Sequence, residues 1–435
     1  MKAQFHTLGC KLNYAETSTI EQNFKKKGFE VVGEKEKCDV FVINTCSVTE
    51  RADRECRQII RKVLRKSPKA FVTVIGCYAQ LQPEEIASIE GVDLILGAKD
   101  KFKIFDYENK FIKYQNPKIN ISPIDTVYDF NSAFTQIGDD RTRAFLKIQD
   151  GCDFNCSFCT IPLARGTSRS QNINELILQA NKIIENGFKE IVLTGVNVGD
   201  YGKNENSSLL ELLKKLNKID GLKRIRISSI EPNLLNDDLL EFWLKEEKIC
   251  NHFHIPMQSG SDKILKLMRR RYTVENYKNL IYKIKSKNEN AGIGVDVIVG
   301  FPGEDEVEFN KTYDLIHELP VSYLHVFTYS ERENTPSVNY GNRIEPKKRF
   351  EHSDRLRILG KKKKNYFYQM QKELAQNILV ENYVEDGFIS GYTNNYIKTK
   401  IQYEKGIENS IQQIKINEIS DEFCIGTIEK DLVEI

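Results

Sequence analysis

At 435 residues, 40% of them apolar, the chain has the length and the core-forming content for two or three domains. Charged residues make up 29% but the net charge is only +2, so a nucleic-acid partner has to be met by local basic patches and not by the overall field. No stretch approaches the ~18 consecutive apolar residues of a membrane helix, and the start MKAQFHTLGCKLNYAE lacks the apolar core of a secretory signal, which predicts a cytoplasmic protein with no membrane partner.

Residues 1–113 alternate short β-rich runs (Gln4–Leu8, Asp39–Asn44, Phe71–Ile75, Val92–Leu96) with amphipathic stretches such as Glu50–Lys66. Runs of that length with no polar alternation are strands buried on both faces, and strands alternating with helices predict a doubly wound parallel sheet. Residues 114–140 are polar, contain Pro117 and Pro123, and read as a linker. Residues 141–368 repeat strand-then-helix six times, with strands at Ala144–Ile148, Glu190–Thr194, Arg224–Ser228, His252–Met257, Gly294–Gly300 and Tyr323–Tyr329. That pattern predicts a partial (β/α)6 barrel whose site lies at the carboxyl ends of the strands. Residues 371–435 change to short strands with turn signals such as Asp386-Gly387, the texture of a small β-barrel. The whole is an α/β chain of three parts.

Ten cysteines in a long chain without a secretory start read as metal ligands or redox groups before disulfides. Cys152, Cys156 and Cys159 share one tight loop directly after the first predicted barrel strand. Three thiolates hold three irons of a [4Fe–4S] cube and leave the fourth open. Structural zinc needs four ligands in a closed tetrahedron, and the nearest spare ones, Cys250, His252 and His254, are far along the chain. A second trio is more dispersed. Cys10, Cys46 and Cys77 each follow a predicted strand of the N-terminal sheet, at the carboxyl edge where doubly wound folds bind ligands. Singly each reads as an ordinary buried cysteine; three at successive edge positions predict a second cube. Cys38, Cys56, Cys250 and Cys424 have no such placement, and His6, His252, His254 and His325 read first as packing or hydrogen-bonding residues.

The segments Thr7-Leu8-Gly9-Cys10, Asn44-Thr45-Cys46, Gly76-Cys77, the Gly151–Cys159 loop, Arg165-Gly166, His254–Asp262, Val299–Glu304 and Tyr329–Arg332 together resemble the radical S-adenosylmethionine methylthiotransferase family, across essentially the whole chain. The resemblance implies an N-terminal cluster domain, a radical S-adenosylmethionine barrel and a TRAM-like RNA-binding module. It implies two [4Fe–4S] clusters and S-adenosylmethionine as cofactors, an electron donor such as flavodoxin or ferredoxin, and conversion of an aromatic C–H into C–S–CH3. The cluster at Cys10, Cys46 and Cys77 is then the one that supplies sulfur. Phe158, Thr194, Gly195, Asn197, Ser229, Glu231 and Gln258 are the expected contacts of S-adenosylmethionine.

Thr7–Asn13, Cys46-Ser47-Val48-Thr49 with Ala52-Asp53, and Ser228–Pro232 are most similar to the branch that acts on N6-threonylcarbamoyladenosine at position 37, in the anticodon loop of tRNA. Sister branches modify isopentenyladenosine at the same position or an aspartate of a ribosomal protein. An iron–sulfur RNA-binding protein without radical chemistry is the reading from another class, against which the three-ligand loop argues. Arg165 and Arg332 are the expected partners of a carboxylate-bearing substituent. The basic run Arg269-Arg270-Arg271, Lys361–Lys364, Tyr392, Tyr396 and Lys398 are the expected RNA contacts.

Overall fold

A computed structural model describes residues 1–47, 50–135 and 142–429. Val48 and Thr49 of the Cys46 motif, residues 136–141 at the end of the expected linker and the last six residues lie outside the described residues.

The first sheet is parallel, in the order β2-β1-β3-β4-β5-β6, from β1 (Lys2–Thr7), β2 (Glu30–Val31), β3 (Val40–Thr45), β4 (Phe71–Gly76), β5 (Leu94–Leu96) and β6 (Lys118–Asn120). β3 and β4 are buried at every residue, as central strands covered on both faces must be. The helix Glu50–Lys66 turns Asp53, Cys56, Ile60 and Val63 inward at helical spacing, which places Cys56 in the core. β6 lies within the stretch expected to be a linker. Its three residues, of which only Ile119 is apolar, are too short a signal for a strand, and it forms by pairing with the edge of β5.

Six parallel strands make the middle. β7 (Arg143–Lys147), β10 (Glu190–Thr194) and β11 (Arg224–Ile227) form one sheet, and β12 (His252–His254), β13 (Gly292–Val299) and β14 (Tyr323–Thr328) form another. A bridge between Ile225 and Ile249 joins them. β12 is shorter than its apolar run because Pro256 cannot donate to the ladder. A short antiparallel pair, β8 (Gln149–Asp150) with β9 (Arg169–Ser170), brackets the cysteine loop, β8 before it and β9 after it. Alternate residues face outward into a core with the surrounding helices: Leu146, Leu193, Ile227, Phe253 and Val295 pack there, and Trp243 stacks on Phe253 at 4.4 Å. The remaining set, including Arg143, Glu190, Arg226, His254, Asp296 and His325, faces the lumen, which is therefore polar.

The helix Lys11–Lys26 covers the first strand of this half-barrel. Ala15 packs with Phe145 and Val192, so one helix serves both the N-terminal sheet and the barrel. At the other end stands a closed five-strand barrel, β15 (Ala375–Glu385), β16 (Phe388–Thr393), β17 (Lys398–Gln402), β19 (Cys424–Ile428) and β18 (Ile411–Ile419) in spatial order.

That module is bound to the amino-terminal end of the half-barrel. Arg143 lies 4.3 Å from the Tyr392 ring, Arg226 lies 3.7 Å from the Tyr396 ring, and Tyr396 donates to Glu190 at 2.5 Å. Arg224 donates to the carbonyls of Tyr392 and Asn377, both at 2.6 Å. The two tyrosines expected to meet RNA are thus committed to an internal interface. An isolated lumen arginine needs a partner, and the tyrosine faces supply it. Among the described residues no helix is long and apolar enough to cross a membrane.

Candidate iron–sulfur and S-adenosylmethionine site

The loop trio is held from below. Gly151 has φ +70, and a side chain there would meet the Thr167 carbonyl at 2.0 Å, so only glycine permits the turn into Cys152. Cys152 N–H donates to the Gly166 carbonyl at 3.0 Å, and Ser157 is fixed by bonds to the Leu267 and Met268 carbonyls. Burial pushes the Cys152 thiol up to about 11 and the Cys159 thiol up to about 12. Three thiols in one desolvated loop, with Cys156 adding to the charging cost of Cys152 and Cys159, form a donor set that a bound metal group relieves by holding them as thiolates. With no fourth cysteine on the loop, the set fits a cube with one iron left open.

Arg270 donates to Cys156 Sγ at 3.2 Å and pairs with Glu231. Arg271 lies 3.8 Å from the Phe154 ring and donates to the Asp153 carbonyl. The basic run expected to meet RNA therefore turns toward the cysteine loop in two of its three members.

The second trio sits where the edge geometry predicts. β1, β3 and β4 are immediate neighbours, and Cys10, Cys46 and Cys77 follow their carboxyl ends. Gly9 has φ +96, and a side chain there would lie 2.9 Å from Cys46 Sγ, which shows how close the first two loops approach. Burial raises Cys10, with Cys77 among the charges it faces. This set also fits a three-cysteine cluster. The remaining cysteines, Cys38, Cys56, Cys250 and Cys424, are buried thiols in cores.

Neither arginine expected to meet the substituent is open to it. Arg165 is 2% exposed and donates to Cys77 Sγ (3.3 Å), Asn13 (2.6 Å), Glu16 (3.0 Å) and Asp150 (2.9 Å). Arg332 pairs with Asp53 at 2.7 Å and donates to Ser47 at 2.6 Å. Both join the barrel to the N-terminal cysteine edge. Burial opposes charge on Glu16, but Arg165, Lys101 and Lys147 hold its carboxyl far below the usual range. Their position explains the miss: a motif arginine reads as a ligand contact unless its buried partners are known.

The residues expected around S-adenosylmethionine all lie at the carboxyl end of the strands, in three groups. Phe158 and Gln258 line a cavity of about 210 Å³ with Cys159, Asp296, Ile298 and Phe327. Gln258 has φ +63, and its Oε1 is buried without a hydrogen-bond partner among the described residues. Thr194 bonds the Leu146 carbonyl, Gly195 lies against Gln149, and Asn197 binds Asp200 through Nδ2 while its Oδ1 is buried and unpartnered. Ser229 and Glu231 form the third group, beside Arg270. Two orphaned amide oxygens flanking an open-iron loop are what a ligand with amino and hydroxyl donors would satisfy.

Sequence reasoning missed the lumen. His254 Nε2 lies 2.8 Å from the accepting Asp296 carboxylate and its Nδ1 lies 3.2 Å from the Ser228 carbonyl, and its ring lies 5.5 Å from that of His325. Lys11 faces the same space, with Arg226, Arg143 and Asp296 within Coulomb reach; burial first, then Arg226, pushes its ammonium down to about 7.

Residues 2–97 match an uncharacterized protein family, UPF0004, and residues 146–316 match the radical SAM superfamily. The threonylcarbamoyladenosine tRNA methylthiotransferase of Bacillus subtilis is 41% identical, over 95% of this chain and 93% of its own length. That of Thermotoga maritima is 33% identical over 99% of this chain and 98% of its own. A tRNA-2-methylthio-N6-dimethylallyladenosine synthase of Alkaliphilus oremlandii is 33% identical, over 82% and 77%. In fold, a radical S-adenosylmethionine methyltransferase of Kitasatospora setae superposes over 77% of this chain and 76% of that one, with a TM-score of 0.53 at 14% identity. With both cysteine trios in place and relatives matched end to end, the chain belongs to the radical S-adenosylmethionine methylthiotransferase family, on its threonylcarbamoyladenosine branch.

Proposed function

We propose that this protein methylthiolates C2 of N6-threonylcarbamoyladenosine at position 37 of tRNA. The observation that carries the reading is end-to-end likeness to the Bacillus subtilis enzyme, 41% identical over 95% of the chain. Cys152, Cys156 and Cys159 hold one [4Fe–4S] cluster, and Cys10, Cys46 and Cys77 hold the other. Bound there, the clusters and S-adenosylmethionine supply the one-electron chemistry, the sulfur and the methyl group, which no side chain can provide for an unactivated aromatic C–H.

The chain's own residues bind, orient and exclude water. Phe158, Gln258, Thr194, Gly195, Asn197, Ser229 and Glu231 surround S-adenosylmethionine, with the Asn197 and Gln258 amide oxygens as acceptors. Arg165, Arg332 and Glu16 clamp the N-terminal cluster edge to the barrel, so the sulfur source and the site of hydrogen removal keep one fixed separation. Phe327, 45% exposed at the cavity wall, offers the flipped base a stacking face. Residues 1–113 act as the cluster domain, 141–368 as the radical barrel and 371–435 as a TRAM-like module that helps hold RNA. The electron donor is a flavodoxin or ferredoxin, and the protein works in the cytoplasm.

The test offers the reconstituted enzyme threonylcarbamoyl and isopentenyl anticodon stem-loops in competition, with unmodified adenosine as control. Methylthiolation of the threonylcarbamoyl stem-loop is expected. Preference for the isopentenyl one contradicts the branch.

A further inference from the structure

Lys11 and Arg226 are cations without counterions. Arg226 is 6% exposed; its partners are His252 Nδ1 (3.4 Å), the Tyr323 hydroxyl and the Tyr396 ring, all of them uncharged. Lys11 lies largely out of water, and among the described residues neither it nor Arg226 has a carboxylate oxygen within 4 Å. By contrast, the buried cations beside the two cysteine trios are paired, Arg165, Lys101 and Lys147 with Glu16, Arg270 with Glu231 and Arg332 with Asp53, while Arg224, on the same strand as Arg226, is satisfied by the Tyr392 and Asn377 carbonyls. An unpaired charge held from water is expensive, so two in one space point to an anion that arrives from outside.

The space is continuous with the site. Asp296 lines the cavity that holds Cys159 and Gln258. Its carboxylate, His254 and His325 place one ligand atom each within 4.8 Å of one another. His325 is exposed and has Asp296, His254, Lys11 and Arg226 as its charged surroundings. Two histidines and a carboxylate are also the ligand types of a metal triad. Here, however, Asp296 is already bonded to His254, and the guanidinium of Arg226 faces the group together with the amine of Lys11, an arrangement that disfavours a divalent ion. Lys11 follows Cys10 directly, at the start of the helix that covers the half-barrel, and has Arg226, Arg143 and Asp296 among the charges around it.

We propose that Lys11 and Arg226, with His325 beside them, bind the carboxylate of the amino-acid substituent on N6 of the target adenine. The inference rests on the function proposed above and assigns its specificity. An aliphatic substituent would leave Lys11 and Arg226 without a counterion, which penalises it more than a missing contact would. Asp296 is on the wall of the cavity beside Cys159 and is one of the charges that Lys11 faces, so a base held in that cavity has the two basic residues on its Asp296 side.

The test is equilibrium binding to anaerobic holoenzyme without reductant. The probes are anticodon stem-loops bearing N6-threonylcarbamoyladenosine, its threonine methyl ester, or plain adenosine. Wild-type protein should prefer the acid to the ester by about tenfold or more, the worth of one charge-assisted hydrogen bond. Lys11→Met should bring that ratio close to one with ester affinity retained; Arg226→Met, which also loses the Tyr396 contact at the module seam, is read by the ratio alone and should bring it close to one, and Arg226→Lys should keep part of it. Equal affinity of wild-type protein for acid and ester overturns the proposal without recourse to any variant. So does undiminished discrimination in both Met variants. If the enzyme methylthiolates only the isopentenyl stem-loop, the function reading itself fails, an outcome separate from these.

Discussion

The Nε of Arg165 lies 3.3 Å from Cys77 Sγ, while its Nη1 is fixed by Glu16 at 3.0 Å and Asp150 at 2.9 Å. Arg165 belongs to the barrel and Cys77 to the N-terminal sheet, so one guanidinium spans both halves of the site. A hydrogen-bonded positive charge at a ligand sulfur favours the reduced form of a cluster and raises its potential. Arg165→Met should lower the midpoint potential of the N-terminal cluster and leave the loop cluster in place. Potentiometry followed by electron paramagnetic resonance reads both. A tenfold change in the reduced-to-oxidised ratio is about 59 mV for one electron, and an unmoved potential contradicts the role given to Arg165. Arg270, at 3.2 Å from Cys156, should act on the loop cluster in the same sense.

Reconstituted protein should carry about eight irons as two cubes, and replacing Cys152, Cys156 and Cys159 together with Ala should leave about four. Replacing Cys10, Cys46 and Cys77 should leave the other four and preserve reductive cleavage of S-adenosylmethionine while abolishing sulfur insertion. Full iron content in either triple variant would show that its cysteines are not ligands.

Tyr396 ties the C-terminal module to the half-barrel through Glu190, Arg143 and Arg226. Tyr396→Ala should destabilise the protein by ~3 kcal/mol, as for other large aromatic truncations, and Tyr396→Phe by ~1 kcal/mol for the lost hydrogen bond. Denaturant midpoints measure both. If Tyr396→Ala leaves stability intact but weakens tRNA binding, the tyrosine belongs to an RNA surface after all.

Burial pushes the Glu304 carboxyl up to about 8, against the hydrogen bond it accepts from the Gly300 N–H. The unfolded chain ionises near the ordinary 4.5, so stability contributed by the neutral folded form is full below 4.5 and is lost as pH rises through about 8. The slope is at most ~1.4 kcal/mol per pH unit. Glu304→Gln should flatten this part of the stability profile, measured by denaturation across the window. An identical slope in the variant would assign it to another group.

The fold was legible because its signals are local. Apolar runs such as Val40–Thr45 are strands wherever they occur, and a cysteine placed after each of three of them meets its fellows once the sheet is parallel. The loop trio needed only its spacing. What the sequence could not reveal was pairing across distance. Arg165 and Arg332 differ from Arg226 only in having acidic partners, Glu16 lying 149 residues from Arg165 and Asp53 far upstream of Arg332. The linker strand Lys118–Asn120 forms because an edge was available, and Tyr396 has an exposed-loop sequence but a buried ring partner. Long-range complementarity decided each of these.

The most direct measurement is mass spectrometry of tRNA nucleosides from a strain lacking this protein. The account predicts that 2-methylthio-N6-threonylcarbamoyladenosine disappears and N6-threonylcarbamoyladenosine accumulates, with rescue by the intact chain but not by Cys46→Ala or the loop triple variant. Unchanged 2-methylthio-N6-threonylcarbamoyladenosine, or loss of the isopentenyl counterpart in its place, would contradict it.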